Sequence, residues 1–256
     1  MRRAEDFTSP ERLEQQYHDS SRLQTRVETH RRYAERKESF LGWLIDQLGP
    51  KPGDLVADIG CGPGNYFARL REIPVTMFGC DLSPGMVADA NAAGMTAVVG
   101  DAQHIPFVSG SLDRVMCNHV LYHVADQIQA LQELRRIARP GAVVVIATNG
   151  TDHLRALDDL ARMAGRDLGT ELPQRQRPFT LEDVDRVRQV FVDAVVRRFE
   201  NCLVFPDPEP VLDYMRSWIG GTGPLEGAIR ARIAEAIGRD GAFRVPTVAG
   251  CFVATA

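Results

Sequence analysis

The sequence predicts a doubly wound α/β fold, in which a mostly parallel sheet carries helices on both faces. The first observation is the segment 55–65, where an apolar run ends in three glycines at alternate positions, Gly60, Gly62 and Gly64. A helix-like segment follows, and this order of strand, tight turn and helix N-terminus is typical of a nucleotide-binding corner. The second observation is Asp81, which ends the next apolar run about twenty residues later and can accept both ribose hydroxyls of an adenosine.

Apolar runs and helix-boundary signals predict the other elements of the first 150 residues. After the strand of the glycine motif, strands are predicted at 75–81, 96–99, 111–117 and 142–148. The last is a continuous run rich in β-branched residues, as expected of a strand that is covered on both faces. Helices are predicted at 66–71, from Pro84 after an N-cap at Ser83, and around 130–137, where Arg139-Pro140-Gly141 is a stop signal.

The part of the chain after residue 150 has a looser pattern. Helices are predicted at 151–164, 181–191, 211–219 and 225–237, and strands at 194–205 and 243–256. Gly220-Gly221-Thr222-Gly223 is expected to be a flexible hinge between the last two helices. Because those helices fall between the sixth and seventh strands, we expect them to form a cap over the pocket.

Residues 1–50 precede the first strand and are predicted to be helical. The segment 40–48 has an apolar face with helical spacing, which is expected to pack on the sheet. Upstream, Arg26, His30 and Tyr33 share one helical face. Two interpretations are open: a solvated amphipathic helix docked through Tyr33, or a lid that brings Arg26 to the carboxylate of a cofactor, since a guanidinium forms bidentate pairs with carboxylates.

The composition indicates an ordinary globular protein. The chain has 256 residues, 44% of them hydrophobic and 25% charged, which is enough for one large α/β domain. Its net charge of −4 disfavours a general nucleic-acid binder. The N-terminus lacks the apolar stretch of a signal peptide, and no apolar run approaches the roughly 18 residues of a membrane helix. We therefore expect a cytoplasmic protein, with neither a nucleic acid nor a membrane as partner.

The cysteines predict neither disulfides nor a metal site. Cys61, Cys80, Cys117, Cys202 and Cys251 are far apart and odd in number, and no C-x-x-C or Cys/His metal-ligand spacing occurs. Several of them lie in apolar runs. The expectation is therefore buried free thiols in a reducing cytoplasm, with no bound metal.

Four strings in the first 150 residues resemble, in order, the motifs of a known family. They are D-x-G-C-G-P-G from Asp58 to Gly64, Asp81, Gly100-Asp101-Ala102, and Arg139-Pro140-Gly141 before the fifth strand. A dinucleotide site prefers a small residue where this chain has Asn65, and here the third glycine falls one place early. The chain is similar to the class I S-adenosylmethionine (SAM)-dependent methyltransferases of the broad type 11 group, including bacterial small-molecule enzymes.

The resemblance implies a Rossmann-like class I methyltransferase fold, a seven-stranded, mostly parallel sheet whose last strand is antiparallel. SAM is the implied cofactor. Residues 51–150 would form the SAM-binding core, with a helical lid at 1–50. Residues 151–256 would complete the sheet and add a helical cap over the substrate pocket, making one domain overall.

The resemblance also assigns cofactor contacts to the ends of the predicted strands. It implies that the turn at 60–62 lines SAM, that Asp81 holds the ribose, and that Asp101 with Ala102 flanks the adenine. The complete predicted cofactor-binding set is Arg26, His30, Asp58, Gly60, Cys61, Gly62, Gly64, Asp81, Leu82, Met86, Gly100, Asp101, Ala102 and Asn118.

The expected reaction is transfer of a methyl group to an O or N atom of a small-molecule acceptor, such as a natural product or secondary metabolite, by a monomer or homodimer. An oxygen acceptor usually needs a general base, whereas an amine can lose its proton early. Histidines near the strand tips are candidates for that base. We select His123 and His153 over His119, with a packing or capping role as the alternative for each, and expect Tyr122 to be a wall of the pocket.

Two other functions stay open at this point. One is an NAD-dependent oxidoreductase, against which Asn65 and the Gly100-Asp101-Ala102 string count. The other is a non-catalytic SAM-binding protein, since a fold does not fix a function.

Overall fold

The computed structural model of the protein describes residues 21–169, 178–217 and 222–256. These residues form a seven-stranded sheet. Its strands are β1 Leu55–Ile59, β2 Thr76–Asp81, β3 Thr96–Val99, β4 Leu112–Asn118, β5 Ala138–Asn149, β6 Val195–Phe205 and β7 Phe243–Thr255. The first twenty residues of the predicted lid, Gly220 and Gly221 of the predicted hinge, and the end of the helix predicted at 211–219 lie outside the described residues.

The order of the strands in the sheet is β3-β2-β1-β4-β5-β7-β6. Strands β1 to β5 pair in parallel, and β7 runs antiparallel to both β5 and β6. This confirms the predicted mostly parallel sheet with an antiparallel last strand. The chain order reverses between β1 and β4, and open α/β sheets bind ligands at such a point, beyond the carboxyl ends of the strands.

Helices cover both faces of the sheet. Among the described residues they are α1 Ser21–Tyr33, α2 Phe40–Leu48, α3 Asn65–Leu70, α4 Pro84–Ala92, α5 Gln127–Ile137, α6 Arg155–Asp167, α7 Val184–Arg188, α8 Glu209–Arg216 and α9 Glu226–Asp240. Helices α2, α3 and α4 bury their apolar sides on one face, for example Leu48 and Leu70. Helices α5 and α7 cover the other face with residues such as Leu134 and Val187.

A third apolar cluster lies where β6 ends and β7 begins. Helices α6, α8 and α9 pack there around Leu157, Leu212 and Ile233, together with Phe205 of β6. Helices α8 and α9 connect β6 to β7, as the pattern of the sequence predicts for a cap.

Helix α1 docks on helix α8 and on the outer strand β6. The rings of Tyr33 and Phe205 lie 5.0 Å apart between centroids. Ala34 forms a β-bridge with Leu203, and the backbone N–H of Glu35 donates to the carbonyl of Cys202 at 2.8 Å. The predicted docking of Tyr33 is therefore present, on a helix that also reaches the site described below.

Three predicted boundaries are wrong, because long-range hydrogen bonds replace local signals. The helix predicted from Thr151 starts only at Arg155, because Leu154 has a left-handed φ of +59° and its N–H donates to the carbonyl of Pro246. The helix predicted at 181–191 is limited to α7 in the structure, and Leu181 N–H donates to the carbonyl of Asn149.

The third wrong boundary concerns β5, which begins at Ala138 instead of residue 142. Ala138 already pairs with Leu112 of β4, and the register then shifts before Arg114 pairs with Val143. Arg139 forms an ion pair with Asp113 inside this irregular stretch. The Arg139-Pro140-Gly141 string follows the end of helix α5 at Ile137, but its residues belong to strand β5.

Within the described ranges, none of the helices combines the length and the apolar character needed to cross a membrane.

Candidate functional site

A cavity of about 1600 Å³ lies at the carboxyl ends of the parallel strands. Its lining includes Gly60 after β1, Asp81 at the end of β2, Gly100 after β3 and Asn118 at the end of β4. Helix α1 and the cap also contribute to its walls. The cavity is therefore where the strand order predicts a ligand site.

The glycine turn after β1 brings the backbone to the edge of the cavity. Gly60 has a φ of +76°, and its N–H donates to the carbonyl of Cys80 at 2.6 Å. A Cβ atom on Gly60 would lie 2.0 Å from Cγ2 of Val120, so only glycine fits there. Gly62 has a φ of +53°, and a Cβ on it would meet no atom within 4 Å, because this position borders the open cavity.

Asp81 is held in place by backbone donors on both sides of the cavity edge. Its carboxylate accepts the N–H of Gly62 and the N–H of Ser83, each at 2.9 Å. Burial raises the pKa of Asp81, while these N–H donors act in the opposite direction. Each carboxylate oxygen keeps a lone pair for a further donor, such as a hydroxyl group of a ligand.

Asp101 occupies the tip after β3 and is oriented by Gln103. The backbone N–H of Gln103 donates to Asp101 Oδ1 at 2.8 Å, and Gln103 Nε2 donates to Oδ2 at 3.0 Å. Ala102 is buried beside it, and both residues line the cavity. Leu82 presents an exposed side chain on the same rim, whereas Met86 of α4 is buried below it.

Two buried polar side chains near the carboxyl ends of β1 and β4 have no hydrogen-bond partners among the described residues. They are Asp58, with both carboxylate oxygens, and Asn118, with its amide oxygen and nitrogen. Asp58 pairs in register with Met116, so Asn118, two residues further on, projects from the same face of the sheet. Burial, with a further contribution from the charge of Asp81, raises the pKa of Asp58 to about 8. Such groups are normally satisfied in native proteins, so a polar ligand or ordered water belongs there.

Helix α1, helix α8 and the segment after β5 meet at one corner of the cavity. His30 of α1 lies within hydrogen-bond distance of Tyr214 of α8, with Nε2 and Oη 3.3 Å apart. The ring of His153, which follows β5, lies parallel to that of His30 with 6.3 Å between centroids. Burial, with the nearby charge of Arg26, lowers the pKa of His30 to about 4, so this imidazole is neutral near pH 7.

A row of rings forms another wall. Phe40 of α2 lies 5.7 Å from His119, and His119 lies 6.3 Å from Tyr122, measured between centroids. Tyr122 in turn packs edge-on against His123 at 4.4 Å. We call Phe40, His119, Tyr122 and His123 the ring wall. His119 has a φ of +61°, a left-handed conformation that is uncommon outside glycine.

The structure brings most of the predicted site residues together. Those that line the cavity are Arg26, His30, Gly60, Cys61, Gly62, Asp81, Leu82, Met86, Gly100, Asp101, Ala102, Asn118, His123 and His153. The other two do not line it. Asp58 is buried at the end of β1, and a Cβ on Gly64 would face Ala90 of α4 at 3.7 Å, so Gly64 serves the packing of the turn.

Some residues of the cavity are missed by the sequence-based prediction. Gln103 directly follows the Gly-Asp-Ala string, which could have indicated it. Phe40 and Phe199 line the cavity through the packing of α2 and β6, and the local sequence carries no signal for that. Tyr214 reaches the cavity because α8 folds back over it.

Residues 57–146 match the model of the family described as methyltransferase domain. The match covers about a third of the chain. The match and the shared fold confirm the predicted resemblance to class I SAM-dependent methyltransferases, whose cofactor is SAM.

Curated relatives match the chain over part of its length. A demethylmenaquinone methyltransferase of Beutenbergia cavernae is 37% identical over 109 residues, 42% of this chain and 45% of that protein. The chain thus spans less than half of this relative. A malonyl-[acyl-carrier protein] O-methyltransferase of Herminiimonas arsenicoxydans is 28% identical over 209 residues, 81% of this chain and 72% of that protein.

Solved structures share the fold at low identity. A phosphoethanolamine N-methyltransferase of Haemonchus contortus, solved with phosphomonomethylethanolamine and S-adenosylhomocysteine, has a TM-score of 0.60 at 18% identity. The similarity covers all of this chain and 61% of that one.

The Gly62 position gives a first prediction. Gly62→Ala should lose about 1–2 kcal/mol of stability through its positive φ, and it should also weaken binding of S-adenosylhomocysteine because the new methyl group enters the cavity. Gly110→Ala is the matched control, since Gly110 has a φ of +60°, has equally open surroundings and does not line the cavity. Calorimetric titration and urea unfolding of both variants check this. Equal loss of affinity in the two would contradict it.

The left-handed conformation of His119 gives a second prediction. His119→Gly and His119→Ala both delete the ring, but only alanine retains the strain of a φ near +61°. The glycine variant should therefore unfold with a free energy about 1–2 kcal/mol higher than that of the alanine variant. Chemical denaturation of the two proteins measures the difference. An alanine variant as stable as the glycine variant would show that the backbone relaxes at this position.

The raised pKa of Asp58 gives a third prediction, for the protein without ligand. Its pKa is about 8 in the folded state and near 4 in unfolded chains, so the stability linked to its neutral form is fully present below about pH 4 and is lost as the pH rises toward 8. Asp58→Asn should flatten the profile of unfolding free energy against pH in this window. Asp89→Asn, an exposed position, should leave the profile unchanged. Parallel profiles for Asp58→Asn and the parent would refute the assignment.

Proposed function

We propose that this protein is a SAM-dependent methyltransferase that transfers a methyl group to an O or N atom of a small molecule, such as a natural product or other secondary metabolite. The observation that carries the proposal is the unpartnered buried amide of Asn118, which borders the cavity at the strand ends together with Asp81, with the unpartnered carboxyl group of Asp58 buried at the end of β1. The amide oxygen of Asn118 offers an acceptor to an ammonium group, and Asp81 offers acceptors to vicinal hydroxyls. SAM carries both kinds of donor.

The residues of the cavity fit the remaining parts of this cofactor. Gly60 and Gly62 leave backbone surface without side chains for the amino-acid portion. Asp101 is oriented for an exocyclic amino group, with Ala102 and Leu82 as apolar contacts for a base. Arg26 and His30 on α1 are assigned to the cofactor carboxylate, as the lid interpretation of the sequence proposes.

The role of the protein in the reaction is to orient and to exclude water. SAM supplies an electrophilic methyl group when bound. The cavity walls hold the acceptor atom in line with that group, and such alignment accounts for much of the acceleration in displacements of this type. His123 and His153 are proposed to take a proton from an oxygen acceptor, and His123, within the ring wall, is the first candidate.

The relatives differ in the acceptor, and a mouse relative that is 32% identical over 143 residues is named as a tRNA methyltransferase. Two other relatives and one similar structure support an acceptor that is not a nucleic acid. Their names refer to demethylmenaquinone and to malonyl-[acyl-carrier protein], and the similar structure contains phosphomonomethylethanolamine. The net charge of −4 argues against a nucleic acid as acceptor. We further propose a cytoplasmic protein that acts as a monomer or homodimer, with no nucleic-acid or membrane partner.

Calorimetric titration with S-adenosylhomocysteine, and with NAD as control, tests the cofactor. We expect micromolar binding of the first and none of the second. Binding of NAD alone would point to an oxidoreductase, and binding of neither would refute the proposal. Turnover with an acceptor then separates an enzyme from a protein that only binds SAM.

Asp81→Ala gives the fourth prediction. Loss of the hydrogen bonds to the ribose should cost about 1.5–3 kcal/mol, or roughly 10- to 150-fold in affinity for S-adenosylhomocysteine. Asp46→Ala, an exposed position on α2 outside the cavity, is the control and should bind as the parent does. Unchanged binding by Asp81→Ala would remove Asp81 from the site.

A further inference from the structure

The ring wall indicates the shape of the acceptor. Phe40 comes from α2, whereas His119, Tyr122 and His123 come from the segment after β4, and the four side chains form a continuous row that borders the cavity. Trp43 supports this row from behind by stacking on Phe40 at 5.7 Å. A row of ring faces and edges binds either a flat aromatic molecule or a cation held over the rings.

The conformation of His119 shows that the wall is built at some energetic cost. The backbone N–H of His119 still donates to the carbonyl of Ala147 at 2.8 Å, so the residue is fixed at the end of β4. Its positive φ then turns the imidazole toward Phe40 and Tyr122. Backbone conformations of this kind persist where the surroundings enforce them, and they cluster at functional sites.

The charges around the cavity decide between the two classes of ligand. Among the described residues, the only carboxylates that line it are Glu38, Asp81 and Asp101. Glu38 forms an ion pair with Arg36, and the two aspartates lie at the tips of β2 and β3, where they are oriented by backbone and amide donors.

The cationic residues lie on the opposite part of the lining. Arg26, Arg31, Arg36 and Lys37 come from α1 and the segment that follows it. The guanidinium of Arg36 already covers the ring of Phe199, 4.6 Å from its centroid. Arg31 is paired with Glu28 and Arg36 with Glu38, so Arg26 and Lys37 give this part of the lining its net positive charge. An acceptor with an ammonium group would meet this positive charge and no available carboxylate near the ring wall.

We propose that the acceptor is a planar aromatic alcohol, uncharged or anionic, which packs on the ring wall. This inference rests on the proposed function, because it assigns the second ligand of the same cavity. An aromatic acid would in addition be favoured by the cationic lining. An aliphatic amine, the other kind of ligand that a row of rings recognises, is disfavoured.

The chemistry of such an acceptor balances with the groups present. A bond forms between the phenolic oxygen and the methyl carbon as the bond from that carbon to sulfur breaks. The phenolic proton passes to the imidazole of His123 and from there to water. The products are an aryl methyl ether and S-adenosylhomocysteine. Phenols ionise near pH 10, so a neighbouring imidazole is a sufficient base when the oxygen is aligned.

Binding of three probes to the full chain saturated with S-adenosylhomocysteine tests the proposal. The probes are 2-naphthol, its saturated analogue decahydro-2-naphthol, and N,N-dimethylethanolamine. We expect 2-naphthol to bind about tenfold or more tightly than either of the others in calorimetric titrations. Equal affinity of the saturated analogue, tighter binding of the amine, or no binding of 2-naphthol at millimolar concentration would overturn the proposal. Failure of S-adenosylhomocysteine itself to bind would instead refute the proposed function.

Variants of the ring wall test whether 2-naphthol binds there. Phe40→Leu keeps an apolar side chain but removes the ring, and it should weaken 2-naphthol binding about tenfold while leaving affinity for S-adenosylhomocysteine unchanged. Phe107→Leu is the matched control, because Phe107 packs on Phe78 away from the cavity. Tyr122→Leu is the second variant, for use if Phe40→Leu does not fold. The inference would also be contradicted if Phe107→Leu lost as much 2-naphthol affinity as the ring-wall variants. It would equally be contradicted if the ring-wall variants lost no 2-naphthol affinity.

Discussion

The close contact between Gly60 and Val120 is the constraint on which the site depends. The turn after β1 runs so near the segment after β4 that a single Cβ atom would overlap the valine side chain. This approach brings the turn against the segment after β4 at the point where the strand order reverses. In the same turn the N–H of Gly62 donates to Asp81. The same valine lies next to His119, so the strained backbone of the ring wall and the glycine turn are parts of one packing arrangement. Two parts of the cavity lining are thereby connected through the adjacent tips of β1 and β4.

The parts of the site that could be predicted from the sequence are those that local chemistry determines. Gly60 and Gly62 lie where the motif predicts them, because the turn needs residues that adopt positive φ values. Asp81 and Asp101 border the cavity because the first ends β2 and the second lies just after β3, and the ends of these parallel strands meet at one edge of the sheet. The seven-stranded sheet follows from the same local signals. Buried β-branched runs separated by helix caps leave few other topologies.

The remaining features depend on contacts between distant segments, which no local pattern specifies. Helix α6 starts late because Leu154 adopts a left-handed conformation, with its N–H bound to the carbonyl of the distant Pro246. Tyr214 reaches the cavity only because its helix packs on a cluster shared with α6 and α9. The unpartnered oxygens of Asp58 are not specified by the motif either, since their hydrogen-bond partners depend on how neighbouring side chains pack.

The pairing of β6 with β7 has a consequence for how easily the cap and helix α1 can move. The two strands are in register from Val195 with Val253 to Phe205 with Phe243, whereas β5 accompanies β7 only as far as Ala249. The outer half of this ladder extends beyond the rest of the sheet and carries the cap helices. Moving the cap away from the core would disrupt a continuous series of backbone hydrogen bonds. The segment that ends helix α1 is joined to β6 by one bridge, one further backbone bond and the two bonds between Arg36 and Asn201. Moving α1 would therefore break far fewer backbone hydrogen bonds than moving the cap.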